Sequence, residues 1–173
     1  MSSLQSLRLG AACNRWANAR LYDACARLAD ADYRRDLGAF FRSVHGTFNH
    51  LLLGDLLWQA RLHDTPAPAS ALDAELCPSL PALRERQTAA DAALGAYLES
   101  CRQRDLPRPL RYTSLLTGAV MTLPLWVALT HLLNHQIHHR GQVTALLSRL
   151  GVDYGDIDLV WMPGVATVDE AAP

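Results

Sequence analysis

Apolar residues recur at steps of three and four along four segments of this chain, and that spacing points to a helical fold. The longest pattern follows Thr122 as its N-cap, has Pro124 in its first turn, and runs to Leu150, where Gly151 ends it. Shorter patterns cover residues 4–28, residues 36 or 38 to a loop at 63–70, and residues 79–101. We therefore expect an all-α four-helix bundle.

One domain accounts for the whole chain. Its 173 residues, 50% of them hydrophobic, supply enough apolar material for one ordinary core, so we expect a single domain over residues 1–173 with a loose tail over about 164–173. Residues 106–122 contain two prolines and no helical period. This long connection between the third and fourth helices favours a small hairpin from residues 110–112 and 119–121.

Charge and hydropathy exclude several classes of function. The net charge is −1, and all 16 basic residues are arginines scattered along the chain, so we expect neither nucleic acid nor an anionic membrane as a partner. The absence of lysine rules out Schiff-base chemistry and a phosphate-loop lysine. The longest apolar stretch, residues 115–133, is interrupted by six polar or helix-breaking residues, which predicts no membrane span.

The four cysteines lie far apart and form no C-x-x-C pair. Together with the lack of a secretory signal at the N-terminus, this predicts buried or half-buried free thiols and a reducing cytoplasm. The cysteines are Cys13, Cys25, Cys77 and Cys101.

Six of the seven histidines occur on two predicted helices: His45 and His50 on the second, and His131, His135, His138 and His139 on the fourth. An H-x-x-x-H pair places two imidazoles on adjacent turns of one helix face, where both can bind one metal ion. His131 with His135, and His135 with His139, both have this spacing. The two pairs cannot serve one ion together, because His131 and His139 are about 12 Å apart along the axis. The spacing alone leaves both pairs open.

A third ligand must come from another helix. Burial of several imidazoles without a shared partner is costly, and a metal ion supplies that partner. His50 is expected to point inward among Leu53, Gly54 and Leu57, whereas His45 lies about 140° around the same helix. His50 is therefore the candidate third ligand.

Three segments of the chain resemble the DinB-like family of metal-dependent helical bundles: NHQIHHRGQ at 134–142, GAFFRSVHGTFNH at 38–50 and WANAR at 16–20. In that family the metal ligands are a histidine of the second helix and the H-x-x-x-H pair ahead of Arg-Gly-Gln. The resemblance therefore implies His50, His135 and His139 as ligands and selects His139 over His131.

Three histidines with an open fourth position are typical of a catalytic divalent metal; we expect zinc first and nickel second. Such an ion lowers the pKa of a bound water or thiol. Gln136 follows His135 where a metalloprotease has the Glu of H-E-x-x-H, so peptide hydrolysis is not expected.

Three functions remain open. Relatives in the wider superfamily imply a transferase that uses a low-molecular-weight thiol to attack a small electrophilic substrate. The alternatives are metal-dependent hydrolysis of a small substrate and a stress-related protein in which the metal only ties two helices together.

Several residues near the three histidines also have predicted roles. Arg140 and Gln142 are expected to pair with an acidic group of the second helix or the tail, and Asn49 or His131 to lie at the mouth of the site. Gly141 suggests close approach of another helix. The apolar residues 159–162 offer a surface for a homodimer or, with equal weight, for an intramolecular clasp.

Overall fold

A computed structural model describes residues 3–167. Its helices are α1 (Ser3–Cys25), α2 (Asp30–Arg34), α3 (Val44–His63), α4 (Leu80–Ser100) and α5 (Leu125–Arg149), and its strands are β1 (Pro109–Thr113) and β2 (Val120–Pro124). Two short 3-10 turns cover Gln103–Asp105 and Leu159–Trp161. The predicted loose tail falls partly outside the described residues, because residues 168–173 are not among them.

The four long helices form the expected bundle. α1 packs on α4 and α5, and α3 packs on the same two helices, so that α1 lies diagonally opposite α3. α3 and α5 run antiparallel, because His50 lies beside His139 while Trp58, two turns later, lies beside His131. The faces of α3 and α5 that carry the histidines therefore meet.

The predicted hairpin is confirmed. β1 and β2 pair antiparallel, with Pro109 opposite Pro124 and Thr113 opposite Val120. The predicted N-cap at Thr122 is wrong, because Thr122 pairs with Arg111 inside the hairpin and α5 begins only at Leu125. The predicted stop at Gly151 is confirmed: its φ is 69°, and its N–H and that of Val152 bond carbonyls in the last turn of α5.

α3 begins later than its periodicity suggests. The apolar pattern reaches back to residue 36 or 38, but the helix starts at Val44, with the Ser43 hydroxyl accepting a hydrogen bond from the Gly46 N–H. Gly38 and Arg42 adopt positive φ values of 71° and 66°, which a right-handed helix does not allow. The segment between them is a tight turn, and it leads into the site described below.

The bundle interior consists of two apolar clusters separated by a polar layer. One cluster contains Tyr22 stacked on Phe48, and the other surrounds Leu129. The polar layer between them draws on all four long helices and consists of Asn14, Asn18, Asp55, Gln87, Asp91, Gln136 and Arg140, each at most 6% exposed.

Hydrogen bonds connect the polar layer. The amide nitrogens of Asn14 and Asn18 donate to the Asp91 carboxylate, and Arg140 donates to the amide oxygens of the same two asparagines. Gln87 donates to Oδ2 of Asp55. Arg140 is thus linked through two asparagines to a carboxylate of α4, and not directly to an acidic group of α3 or the tail as the sequence suggested.

Two further expectations concern the cysteines and membranes. All four cysteines are free, with Cys25 and Cys77 buried and Cys13 and Cys101 half-buried, as predicted. Among residues 3–167, none of the helices combines the length and the apolar character that a membrane span requires.

Candidate metal centre

His50 of α3 and His135 and His139 of α5 converge at the contact between the two helices. His50 Nε2 lies 3.1 Å from His139 Nε2 and 3.3 Å from His135 Nε2. Two nitrogen ligands at 2.0–2.1 Å from a tetrahedral ion are roughly 3.3 Å apart. The separations therefore suit one bound ion.

Hydrogen bonds fix which nitrogen of two of these rings carries the proton. His50 Nδ1 donates to the carbonyl oxygen of Leu72 at 2.8 Å, and His139 Nδ1 donates to the amide oxygen of Gln142 at 2.8 Å. In a neutral ring whose Nδ1 is protonated, Nε2 carries a lone pair. Two lone pairs thus face each other across 3.1 Å, an arrangement that a cation between them stabilises.

The position of the third histidine, His135, depends on a glycine. A Cβ at Gly54 would lie 2.8 Å from Cε1 of His135 and 3.1 Å from its Nδ1, so the ring occupies the space that a side chain would take. Gly54 comes one helical turn after His50 on α3. Its lack of a side chain allows α5 to bring His135 against the same turn.

An aromatic ring covers one side of the cluster. Phe41 stacks on His50, with ring centroids 3.9 Å apart and planes at 19°, and meets His139 edge-on at 5.7 Å. Phe41 precedes Arg42, whose positive φ turns the chain back onto α3. The tight turn before α3 therefore restricts the orientation of the His50 ring.

Burial favours the neutral, metal-binding form of all three imidazoles. Together with a smaller contribution from neighbouring histidines, it lowers the pKa of His135 to about 3 and that of His139 to about 4. Burial also lowers the pKa of His50, while the hydrogen bond to Leu72 opposes that shift. Because a metal displaces protons from its ligands, neutral rings at neutral pH are ready to bind one.

The loop between α3 and α4 is held by a buried amide. Asn49 Oδ1 accepts hydrogen bonds from the backbone N–H groups of Leu76 and Cys77, at 2.7 and 3.0 Å. This anchors the loop that supplies the Leu72 carbonyl to His50. Asn49 is 3% exposed, so it does not lie at the mouth of the site as one alternative proposed.

His45 is also buried, contrary to the expectation that only His50 would point inward. Its exposed fraction is 6%, and its Nε2 lies 3.0 Å from Oε1 of Glu75 in the same loop. The helical angle correctly separates His45 from the cluster of three histidines, but it does not anticipate the loop that covers His45. His45 thus joins Asn49 in holding this loop against α3.

The remaining candidates lie around the cluster. His131 is exposed and packs beside Trp58, with its ring centroid 6.0 Å from that of His135, and the structure does not place it with the three histidines. His138 is exposed. Gln142 bonds to His139 instead of an acidic group. Gly141 was expected to mark a close helix approach, but a Cβ there would meet nothing within 4 Å.

Sequence reasoning missed two contributors to the site. Leu72 acts through its backbone carbonyl, so its side chain carries no signal of that role. Phe41 lies inside the family-like segment at 38–50, but its apolar spacing predicts a helix there instead of a turn.

The Gly54→Ala variant tests the packing of His135. We expect its affinity for zinc or cobalt to fall by about tenfold or more, since changes around a ligand typically cost 10- to 100-fold. Its helix should not be weakened, because Ala is favoured over Gly within helices by roughly 1 kcal/mol. Isothermal titration of metal-free protein with zinc measures the change.

Gly141→Ala is the matched control, since it makes the same substitution on α5 where the added methyl meets open space. It should bind metal like the wild type. Equal metal affinity in Gly54→Ala would contradict the assigned position of His135.

Comparisons with known proteins agree with the fold. The DinB family model matches residues 3–170. Protein DinB of Bacillus subtilis (strain 168) is 28% identical over 152 residues, covering 82% of this chain and 87% of that protein. A crystal structure of a DinB-like protein from Bacillus cereus ATCC 10987 has a TM-score of 0.62 at 16% identity, covering 81% of this chain and 89% of that one. The chain belongs to the DinB family.

Proposed function

We propose that this protein is a metal-dependent enzyme that holds one divalent ion with His50, His135 and His139 and promotes attack by a low-molecular-weight thiol on a small electrophile. The observation that carries the metal assignment is the pair of Nε2 lone pairs 3.1 Å apart, each fixed by a hydrogen bond at the opposite ring nitrogen. Zinc is the first expected metal and nickel the second.

The ligand set supports a catalytic site over a structural one. Among residues 3–167, the cluster contains three histidines and no carboxylate or thiolate as a fourth ligand. Structural zinc sites have four protein ligands, whereas catalytic sites leave one position to water or substrate. The bound ion would lower the pKa of a thiol at that open position.

The chain contributes orientation and exclusion of water. Leu72 and Gln142 hold the rings of His50 and His139, and Phe41 shields one side of the cluster. In the proposed transfer, the thiol loses its proton to solvent, its sulfur forms a bond to the electrophilic carbon, and the leaving group departs with the electron pair of the broken bond.

Cobalt substitution tests the proposal without a known substrate. We expect 2-mercaptoethanol to produce a sulfur-to-cobalt charge-transfer absorption in the cobalt-loaded wild type, because the open position admits a thiol. The His50→Ala variant should show neither the cobalt spectrum nor the thiol response. A cobalt-loaded wild type whose spectrum stays unchanged at saturating thiol would contradict thiol transfer.

A further inference from the structure

Arg61, near the end of α3, packs between two aromatic rings. Its guanidinium carbon lies 4.4 Å from the centroid of the Trp58 ring and 4.2 Å from that of Tyr112. Its side chain is half-buried, yet over residues 3–167 it has no hydrogen bond and no ion pair. Cation–π contacts hold the group in place but leave its N–H donors unused.

Arg61 borders a cleft. A cavity of about 260 Å³ opens between the end of α3, the start of the following loop and strand β1. Arg61 and Arg111 line it, and Asp64 is the one acidic residue in the described lining. The charged groups around the cleft therefore sum to a single positive charge.

Ring contacts lead from Tyr112, which lines the cleft, through Trp58 and His131 to His135 of the candidate metal centre. The Trp58 ring contacts His131 at 5.0 Å between centroids, and the His131 ring lies 6.0 Å from that of His135. Gly54, which packs on His135, and Arg61 are seven residues apart on α3, about 10 Å along the helix axis. A small molecule can span this distance.

We propose that Arg61, assisted by Arg111, binds the carboxylate of a small anionic molecule whose other end reaches the metal. The inference rests on the proposed function for the role of the metal, but the anion site itself does not require the ion. A guanidinium edge matches a planar carboxylate, and the single net positive charge suits a monoanion better than a phosphate dianion.

Metal-free protein tests the anion site alone. The Arg61 Nε–H resonance is identified by its loss in R61Q and is followed by NMR during titration. We expect a saturable shift with hexanoate, none with hexanol, and a weaker response to inorganic phosphate. No saturable shift with hexanoate, or tighter binding of phosphate, would overturn the proposal.

Cobalt-loaded protein tests the link to the metal. We expect 6-mercaptohexanoate to bind about tenfold more tightly than 6-mercaptohexanol, as one charge-assisted hydrogen-bonding contact would give. The R61Q variant should lose this preference while keeping its full cobalt content. The R61K variant retains the positive charge but lacks the planar guanidinium group, so it should keep part of the preference for 6-mercaptohexanoate.

Arg15→Gln is the matched control, because Arg15 is exposed beside the α1–α4 groove on the other side of the bundle. It should keep the full preference. Persistence of the preference in R61Q, or equal binding of the two thiols by the wild type, would refute the carboxylate site while leaving the metal assignment intact. Absence of any thiol binding would refute the proposed function instead, and the metal-free titration then decides the anion site on its own.

Discussion

At pH 8.5 the Asp55→Asn variant is expected to be several kcal/mol more stable than the wild type, whereas at pH 4 the two should be nearly equal. Asp55 is 1% exposed in the polar layer of the bundle. Its Oδ2 accepts a hydrogen bond from Gln87, and its Oδ1 has no partner in the described part of the chain. Burial, with a smaller contribution from the nearby Asp91, raises its pKa to about 8.

The charges of the polar layer explain why this carboxyl keeps its proton. Arg140 is the single cation of the layer, and it is linked through Asn14 and Asn18 to Asp91. One guanidinium can balance one carboxylate, so ionisation of Asp55 would leave an uncompensated buried charge. Asparagine keeps an oxygen to accept from Gln87 and has no proton to lose.

The sign of the pH dependence follows from the raised pKa. Below the ordinary carboxyl pKa of 3.8, both the folded and unfolded chains carry the proton and ionisation costs nothing. As the pH rises from about 4 to about 8, the unfolded chain releases this proton while the folded chain retains it, so the wild type loses stability. Each pH unit in this window costs at most about 1.4 kcal/mol, giving a total on the order of 5 kcal/mol.

Urea unfolding of metal-free protein at several pH values between 4 and 8.5 measures this effect. The difference in unfolding free energy between variant and wild type should grow with pH, while other titrating groups cancel. Asp156→Asn, which removes an exposed carboxylate, should follow the wild-type curve at every pH. Parallel curves for Asp55→Asn and wild type would show that Asp55 is ionised in the folded protein.

The helices could be predicted because their apolar period is a local property of the sequence. The hairpin could also be predicted, because prolines and Thr117-Gly118 interrupt the helical period. The start of α3 could not be predicted from the sequence. Phe41 and Val44 continue the helical spacing across a turn that depends on the backbone angles of Gly38 and Arg42. Spacing describes which face a residue takes if a helix forms, but it does not show where the helix begins.

Part of the candidate metal site could also be predicted from the sequence, because helical spacing is a local property. The spacing of His135 and His139 places them on one face, but the choice between His139 and His131 needed the family resemblance. The polar layer was not foreseen, because Asp55, Asp91 and Arg140 are far apart in sequence and ordinarily exposed types. Apolar character also does not show which part of the tail packs on the bundle. Val152, Tyr154 and Ile157 pack on it, whereas Leu159, Val160 and Trp161 are exposed.

Replacement of His139 by Ala is expected to lower affinity for zinc or cobalt at least about a hundredfold, because it removes a ligand and not merely a neighbour of one. The variant keeps only His50 and His135, whose Nε2 atoms lie 3.3 Å apart, so two of the three proposed nitrogen donors remain. His131→Ala is the matched control from the same helix. It should bind metal within about twofold of the wild type, since His131 lies against Trp58 and outside the cluster.

The most direct measurement is the metal content of these three proteins, expressed without an affinity tag and purified without a metal column. We expect about one divalent metal ion per chain in the wild type and in His131→Ala, and very little in His139→Ala. Wild-type protein that contains no metal and takes up none when titrated with zinc, nickel or cobalt would contradict the metal centre. Stoichiometric metal in His139→Ala, with its loss in His131→Ala, would show that the other histidine pair holds the ion.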